Sequence, residues 1–183
     1  NTPTIGEVLR RATAIVLSES EDIRTDGHAQ ASNPSVTEDS NYQRDEKKIA
    51  LMRAALQVDM PIYGIGRGMH ILNVAMGGKA NTTVLGHNRT DTDGGIGESI
   101  FHHIYISPGS KLAAVVGSGG FVRVNSTHQQ GIREAQKSSV LLASAYSLED
   151  GVIEALESPY HRWVIGVQFN PERRMEVPPH FDR

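Results

Sequence analysis

The 183-residue chain is 38% hydrophobic, 21% charged and 5% aromatic, with 18 Gly, 8 Pro and no cysteine, the composition of one globular domain. The missing cysteine excludes a disulfide framework, thiolate metal ligands and a cysteine nucleophile. With 18 Lys plus Arg against 21 Asp plus Glu, the net charge of -3 offers no basic field for nucleic acid.

Ile5 to Ala12 has helical spacing and feeds the β-branched run Ala14-Ile15-Val16-Leu17, read as a buried strand. No run approaches the roughly 18 apolar residues of a membrane span, and the first twenty residues lack the regions of a signal peptide. A cytoplasmic protein with no membrane partner is the expectation. From Arg24 to about Arg44 the Ser, Asn, Asp, Gly and Pro content reads as a long loop. Asp45 to Val58 then places Ile49, Leu51, Met52, Ala55 and Leu56 on one face of an amphipathic helix.

Pro61 to Ile65 is an interior strand, and after Gly66-Arg67-Gly68 the apolar positions Met69, Leu72, Val74 and Met76 wind into a helix that Gly77-Gly78 stops. Asn81 to Ser99 is polar and rich in Gly and Asp. His103 to Ile106 alternates as a strand, which His102-His103 opens rather than forming a metal pair; Leu112 to Val116 is a short helix or turn. Phe121 to Val124 and Val140 to Ala145 are strands, and Val152 to Glu157 and Trp163 to Phe169 pair through the turn at Ser158-Pro159. Helix and strand alternate early and hairpins follow late, which gives an α/β layered fold in a single domain, 1–183.

The segment PIYGIGRGMHILNVAMGG turns from strand to helix within three residues. In an open α/β sheet such a turn holds one side chain over the carboxyl ends of the strands, where ligands bind. The residue at that point is Gly66, which has no side chain to attack with. Gly64, Gly66 and Gly68 also admit the readings of a plain tight turn or a phosphate loop, although the third glycine of G-x-G-x-x-G is absent.

This segment resembles the nucleophile elbow of class I glutamine amidotransferases, in particular the γ-glutamyl hydrolase branch (peptidase C26), whose pattern is G-I-C-R-G-M-Q-x-x-N-V-A-x-G-G. Here it reads Gly64-Ile65-Gly66-Arg67-Gly68-Met69-His70, then Asn73-Val74-Ala75-Met76-Gly77-Gly78. The resemblance recurs at Val124-Asn125-Ser126-Thr127-His128-Gln129-Gln130, at Asp150 to Ala155 and at Gly166-Val167-Gln168-Phe169-Asn170-Pro171-Glu172. It covers about Val16 to Glu172. It implies a three-layer sandwich on a mostly parallel central sheet, the flavodoxin-like fold of that family. The segment matching Ala14 to Leu17 comes early for the family, so either the sequence is a piece of a longer chain or the N-terminal strand-helix-strand is lacking, and in the second case a homodimer or partner chain is expected to cover the exposed sheet edge.

By the same resemblance the family's cysteine falls on Gly66, its histidine on Asn170 and its triad carboxylate on Glu172. Its oxyanion loop, L-P-G-G-x-D, falls on Leu17-Ser18-Glu19-Ser20-Glu21-Asp22, without either glycine. A Cys-His pair works because imidazole takes the thiol proton, and Asn170 accepts none. Losing one triad member costs about 10⁶ in rate and an oxyanion donor a further ~10² to 10³, so ordinary glutaminase activity is expected to be absent.

Two readings stay open. In the first, a repurposed enzyme acts without a thioester on a γ-glutamyl amide or amino-acid-like molecule, using Glu19, His70, His128 or Glu172 as general acid and base, with Gly66, Arg67, Ser126, His128, Gln129 and Asn170 lining the ligand site. In the second, a pseudoenzyme binds such a ligand or serves as a subunit. The simpler reading of His70 is a half-buried, hydrogen-bonded helix residue, and that of Arg67 an ion-paired arginine. A metal held by His70, His128 and Glu172 has no supporting H-x-H or H-x-x-x-H spacing, so neither a metal nor a cofactor is expected.

Overall fold

In the computed structural model, residues 3–19, 37–88 and 99–178 are described, with the side chains of 19 and 37–44 left aside. The elements run α1 (Ile5–Arg11), β1 (Ile15–Glu19), α2 (Thr37–Gln57), β2 (Ile62–Gly66), α3 (Arg67–Ala75), β3 (Thr82–Thr83), β4 (Ile100–Ile106), α4 (Lys111–Val116), β5 (Gly120–Ser126), β6 (Gln130–Gly131), β7 (Leu142–Ser147), β8 (Ile153–Glu157) and β9 (Val164–Val167).

Local sequence accounts for most of these boundaries. Thr4 and Glu7 close a capping box on α1, each side chain accepting from the other's backbone N–H. Ser110 caps α4, which ends at Gly117 in the left-handed conformation. The helix expected from Asp45 starts at Thr37 instead, so the second part of the expected loop is helical. The run Thr37-Glu38-Asp39-Ser40 has loop composition, but an acidic first turn is also what a helix N-terminus favours. The first part of that loop, 24–36, lies outside the described residues.

Seven strands form one sheet in the order β1-β2-β9-β8-β7-β4-β5. β1, β2 and β9 pair in parallel, and the junctions from β9 through β8, β7 and β4 to β5 are antiparallel. Consequently β1, β2, β9, β7 and β5 point one way and only β8 and β4 the other. The expected β8–β9 hairpin is present, with Ala155 opposite Val167. A separate two-stranded ribbon pairs β3 with β6.

The sheet divides the core in two, because successive residues of a strand point to opposite faces. On one face Ile62 of β2 and Val164 of β9 pack under α2 and α3 with Met52, Ala55, Ile71 and Leu72. On the other, Ile65, Ile165 and Val167 pack with Leu112, Ala113 and Val116 of α4. Helices on both faces of a sheet make the expected three-layer α/β sandwich. Fully burying side chains such as Ile62 or Leu72 contributes about 1.5–3 kcal/mol each. Among the described residues no helix is long and apolar enough to cross a membrane.

Candidate functional site

β2 passes directly into α3 at Gly66, whose backbone angles are φ 55 and ψ -114. That region is costly for any residue with a Cβ, and it is the sharp strand-to-helix elbow expected from the sequence. Gly68 is fixed by proximity: a Cβ there would run into the carbonyl oxygen of Leu17 on β1. α3 therefore lies directly on the sheet, and its first turn starts beside the carboxyl ends of β1 and β2.

The strand directions collect the other candidates at the same rim. β1 ends at Glu19, whose backbone lies in register with Gly66; its side chain lies outside the described residues. β9 ends just before Gln168 and Asn170, and β5 ends at Ser126. Because β8 runs the opposite way, its first residues, Ile153 and Glu154, face this rim too.

Asn170 stands where the resemblance expects a histidine. Its backbone N–H donates to Asn125 Oδ1 at 2.9 Å, and its side-chain amide donates to Thr127 Oγ1 at 3.1 Å. Asn125, fully buried, donates in return to the Asn170 carbonyl and to Glu176. The segment 170–176 is thus tied to the end of β5 and the residue after it. Glu172 is exposed; its charge adds to burial in pushing the Tyr63 phenol up to about 12. Ser126 is buried, its hydroxyl donating to the His87 carbonyl at 2.7 Å, while Gln129 is exposed.

His70 is 1% exposed and has both ring nitrogens engaged, Nε2 with Gln168 Oε1 at 2.6 Å and Nδ1 with the Asn81 amide at 3.1 Å. The pattern is that of a neutral imidazole donating through Nε2 and accepting at Nδ1. Burial drives its pKa down to about 4, against the raising effect of the Gln168 hydrogen bond. Asn81 donates onward to Gln130, so His70 belongs to a buried polar chain between α3 and the β3–β6 ribbon. The Arg67 guanidinium, also buried, donates to both carboxylate oxygens of Asp45 at 2.5 Å and pins α2 to α3.

No hydrogen bond or ion pair among the described residues joins His70, His128 and Glu172. His128 belongs to a different group. Its Nδ1 donates to the Gln130 carbonyl at 2.9 Å, and its Nε2 faces Glu154 Oε1 at 3.6 Å. His87 and His102 face the same oxygen at 3.6 and 3.3 Å. All four residues are buried, Glu154 completely. Nearby imidazoles hold the Glu154 carboxyl well below the usual range despite its burial. Neither His87 nor Glu154 stands out in the sequence: His87 follows β3, Glu154 lies on β8, and no short spacing links them.

Comparisons with known proteins agree with this architecture. The chain matches the peptidase C26 family over residues 1–172. It is 33% identical to a protein of Mycobacterium tuberculosis named as a putative glutamine amidotransferase, over 94% of this chain and 54% of that one. It is 31% identical to the gamma-glutamyl-gamma-aminobutyrate hydrolase PuuD of Escherichia coli, over 73% of this chain and 54% of the relative. The chain spans about half the length of these relatives. Among solved structures, a glutamine amidotransferase from Thermotoga maritima superposes with a TM-score of 0.59 at 17% identity, covering 90% of this chain and 58% of that one. The glutaminase domain of a Trypanosoma brucei CTPS gives a TM-score of 0.58 at 18% identity, covering 75% and 63%. The elbow at Gly66, the sheet order and the matched sequence together make this chain a member of the peptidase C26 family, within the class I glutamine amidotransferase-like proteins.

Proposed function

We propose that this chain uses the elbow to seat a small amino-acid-like molecule of the γ-glutamyl-amide class and performs no thioester chemistry on it. The observation that carries the reading is the pair of substitutions at the elbow rim. Gly66 occupies the nucleophile's turn, and Asn170 commits its side-chain amide to Thr127 where a base would be needed. Neither group can hold or move the proton that activates a thiol. What persists is suited to binding: α3 begins at the rim with Gly66, which has no side chain, as its N-cap, so the positive end of its dipole faces the place where a carboxylate or carbonyl oxygen would sit.

A second reading, a repurposed enzyme working through carboxylates, is supported by the register of Glu19 with Gly66 and by the exposed Glu172. His70 does not add to it, since both its nitrogens are taken. A homodimer or partner chain along β1 belongs to the same proposal: β1 is an edge strand among the described residues, and Val16 is 66% exposed on it.

The test is a panel of γ-glutamyl amides and free amino acids, followed in parallel by product release and by thermal shift. Stabilisation without turnover is the expected outcome. Turnover at the rate of a cysteine-containing relative overturns the proposal, and absence of any stabilisation leaves only a subunit role.

A further inference from the structure

The group of three imidazoles around Glu154 lies beside the elbow but takes no part in the binding just proposed. Glu154 is fully buried, and neither of its carboxylate oxygens has a hydrogen-bond partner among the described residues. A buried carboxylate in that condition is costly unless a cation meets it. Histidines approach it at 3.3 to 3.6 Å without hydrogen-bond geometry.

We propose that His87, His128 and Glu154 form a binding site for a divalent metal ion of the zinc class, through His87 Nδ1, His128 Nε2 and Glu154 Oε1. The three residues bring one ligand atom each within 4.8 Å of one another, and among the described residues His87 Nδ1, His128 Nε2 and Glu154 Oε1 have no hydrogen-bond partner. Donors bound to a tetrahedral zinc at about 2.0–2.1 Å are about 3.3–3.4 Å apart. The two nitrogens stand 3.6 Å from the carboxylate oxygen, so a small closure completes the site.

The outer nitrogens give an independent observation. His87 Nε2 faces Asp150 Oδ1 at 3.3 Å, and His128 Nδ1 donates to the Gln130 carbonyl at 2.9 Å. Metal-bound imidazoles carry this arrangement, the far nitrogen anchored on a carboxylate or carbonyl so that the near lone pair points at the ion. His102, with Nε2 3.3 Å from Glu154 Oε1, is a positioning residue that orients the carboxylate. Two imidazoles and one carboxylate suit zinc or a neighbouring first-row ion rather than calcium or magnesium, which take oxygen ligands. The three ligands come from the segment after β3, from the loop after β5 and from β8. The ion would therefore fasten the segment after β3 and the loop after β5 to β8. The site stands independently of the elbow proposal, since it can fail while amino-acid binding holds, and the reverse.

The full chain, stripped of metal by chelation and dialysed against Zn(II) or Co(II), tests it. Elemental analysis is expected to find about one equivalent of zinc per chain. The Co(II) form is expected to show the visible bands of a low-coordinate site, and Glu154→Gln and His87→Gln to abolish both signals while keeping the circular dichroism of the parent. Asp150→Asn, which takes the charge from the outer anchor and from its ion pair with the half-exposed Arg133 while leaving all three ligands in place, is expected to weaken affinity by about 10- to 100-fold. It keeps the test decisive should the buried variants not fold. His103→Gln, exposed on β4, is expected to leave binding unchanged. The proposal is overturned if the parent chain retains no zinc, if folded Glu154→Gln retains as much as the parent, or if Asp150→Asn and His103→Gln bind alike. Retention of no zinc would mean that the group is an ion-pair network in which a protonated histidine balances Glu154.

Discussion

Returning a cysteine to the elbow separates backbone geometry from chemistry at one position. In Gly66→Cys the new Cβ must adopt φ 55 and ψ -114, a region that costs about 1–3 kcal/mol for a residue other than glycine. In a domain of this size each kcal/mol moves Tm by roughly 2–4 °C, so a fall of about 2 to 12 °C is expected in a thermal melt. Gly66→Ala carries the same backbone cost with no thiol and should fall by a similar amount. The chemistry should not return. A thiol with a pKa near ~8.5 is only a few per cent ionised at neutral pH, and Asn170 cannot take its proton. Turnover of a chromogenic γ-glutamyl anilide is expected to stay at background in Gly66→Cys. A variant as stable as the parent would refute the argument from positive φ, and multiple turnovers would refute the claim that the base has been lost.

Three further outcomes follow from the buried contacts. His70, held neutral by burial with a pKa of about 4, takes up its proton in the unfolded chain near pH 6.5 but not in the folded one. Its contribution is therefore complete above that pH and lost as pH falls from about 6.5 towards 4, a change of about 3 kcal/mol. Chemical denaturation at several pH values should show His70→Gln losing less stability than the parent over that window; parallel curves would refute the assignment. Asn73 is fully buried and spends its amide on the Lys79 and Gln136 carbonyls and on the Ser138 N–H. Asn73→Ala should cost about 2–4 kcal/mol in urea unfolding, and a cost under 1 kcal/mol would contradict it. Arg67→Met leaves Asp45 of α2 without its partner on α3 and should cost about 2–4 kcal/mol, with Asp45→Asn/Arg67→Met recovering part of it; an unaffected midpoint in the single variant would show that the pair does not hold α2.

The elbow was legible because its signal is local: a short apolar strand, glycines at alternate positions, and a helical period starting at once. The sheet was legible as separate strands, but the reversal of β8 and β4 within it is set by pairings that no single segment encodes. His70 shows the limit at the site. Its place after the elbow makes it look available for chemistry, yet Asn81 and Gln168 take both nitrogens, and they lie 11 and 98 residues away in the chain. The group around Glu154 was hidden for the same reason, since its members come from separate elements and share no spacing. The early start of α2 was missed because a Thr, Glu, Asp and Ser run satisfies a helix N-terminus as well as a loop.

The position of β2 carries a consequence for how the protein is made. Its neighbours are β1, which precedes it, and β9, the last element among the described residues: Ile62 pairs with Ile15 on one side and Val164 on the other. A chain emerging from the ribosome can form β4, β5, β7 and β8 from connections of modest length. β2 gains its second partner only once residue 167 is out, and that closure spans more than half of the chain. The turn that gives the family its site is thus among the last parts of the sheet to be enclosed. Any nascent fragment that stops before β9 displays the buried edge of β2, with Ile62, Gly64 and Ile65 unpaired, to whatever else is being synthesised nearby.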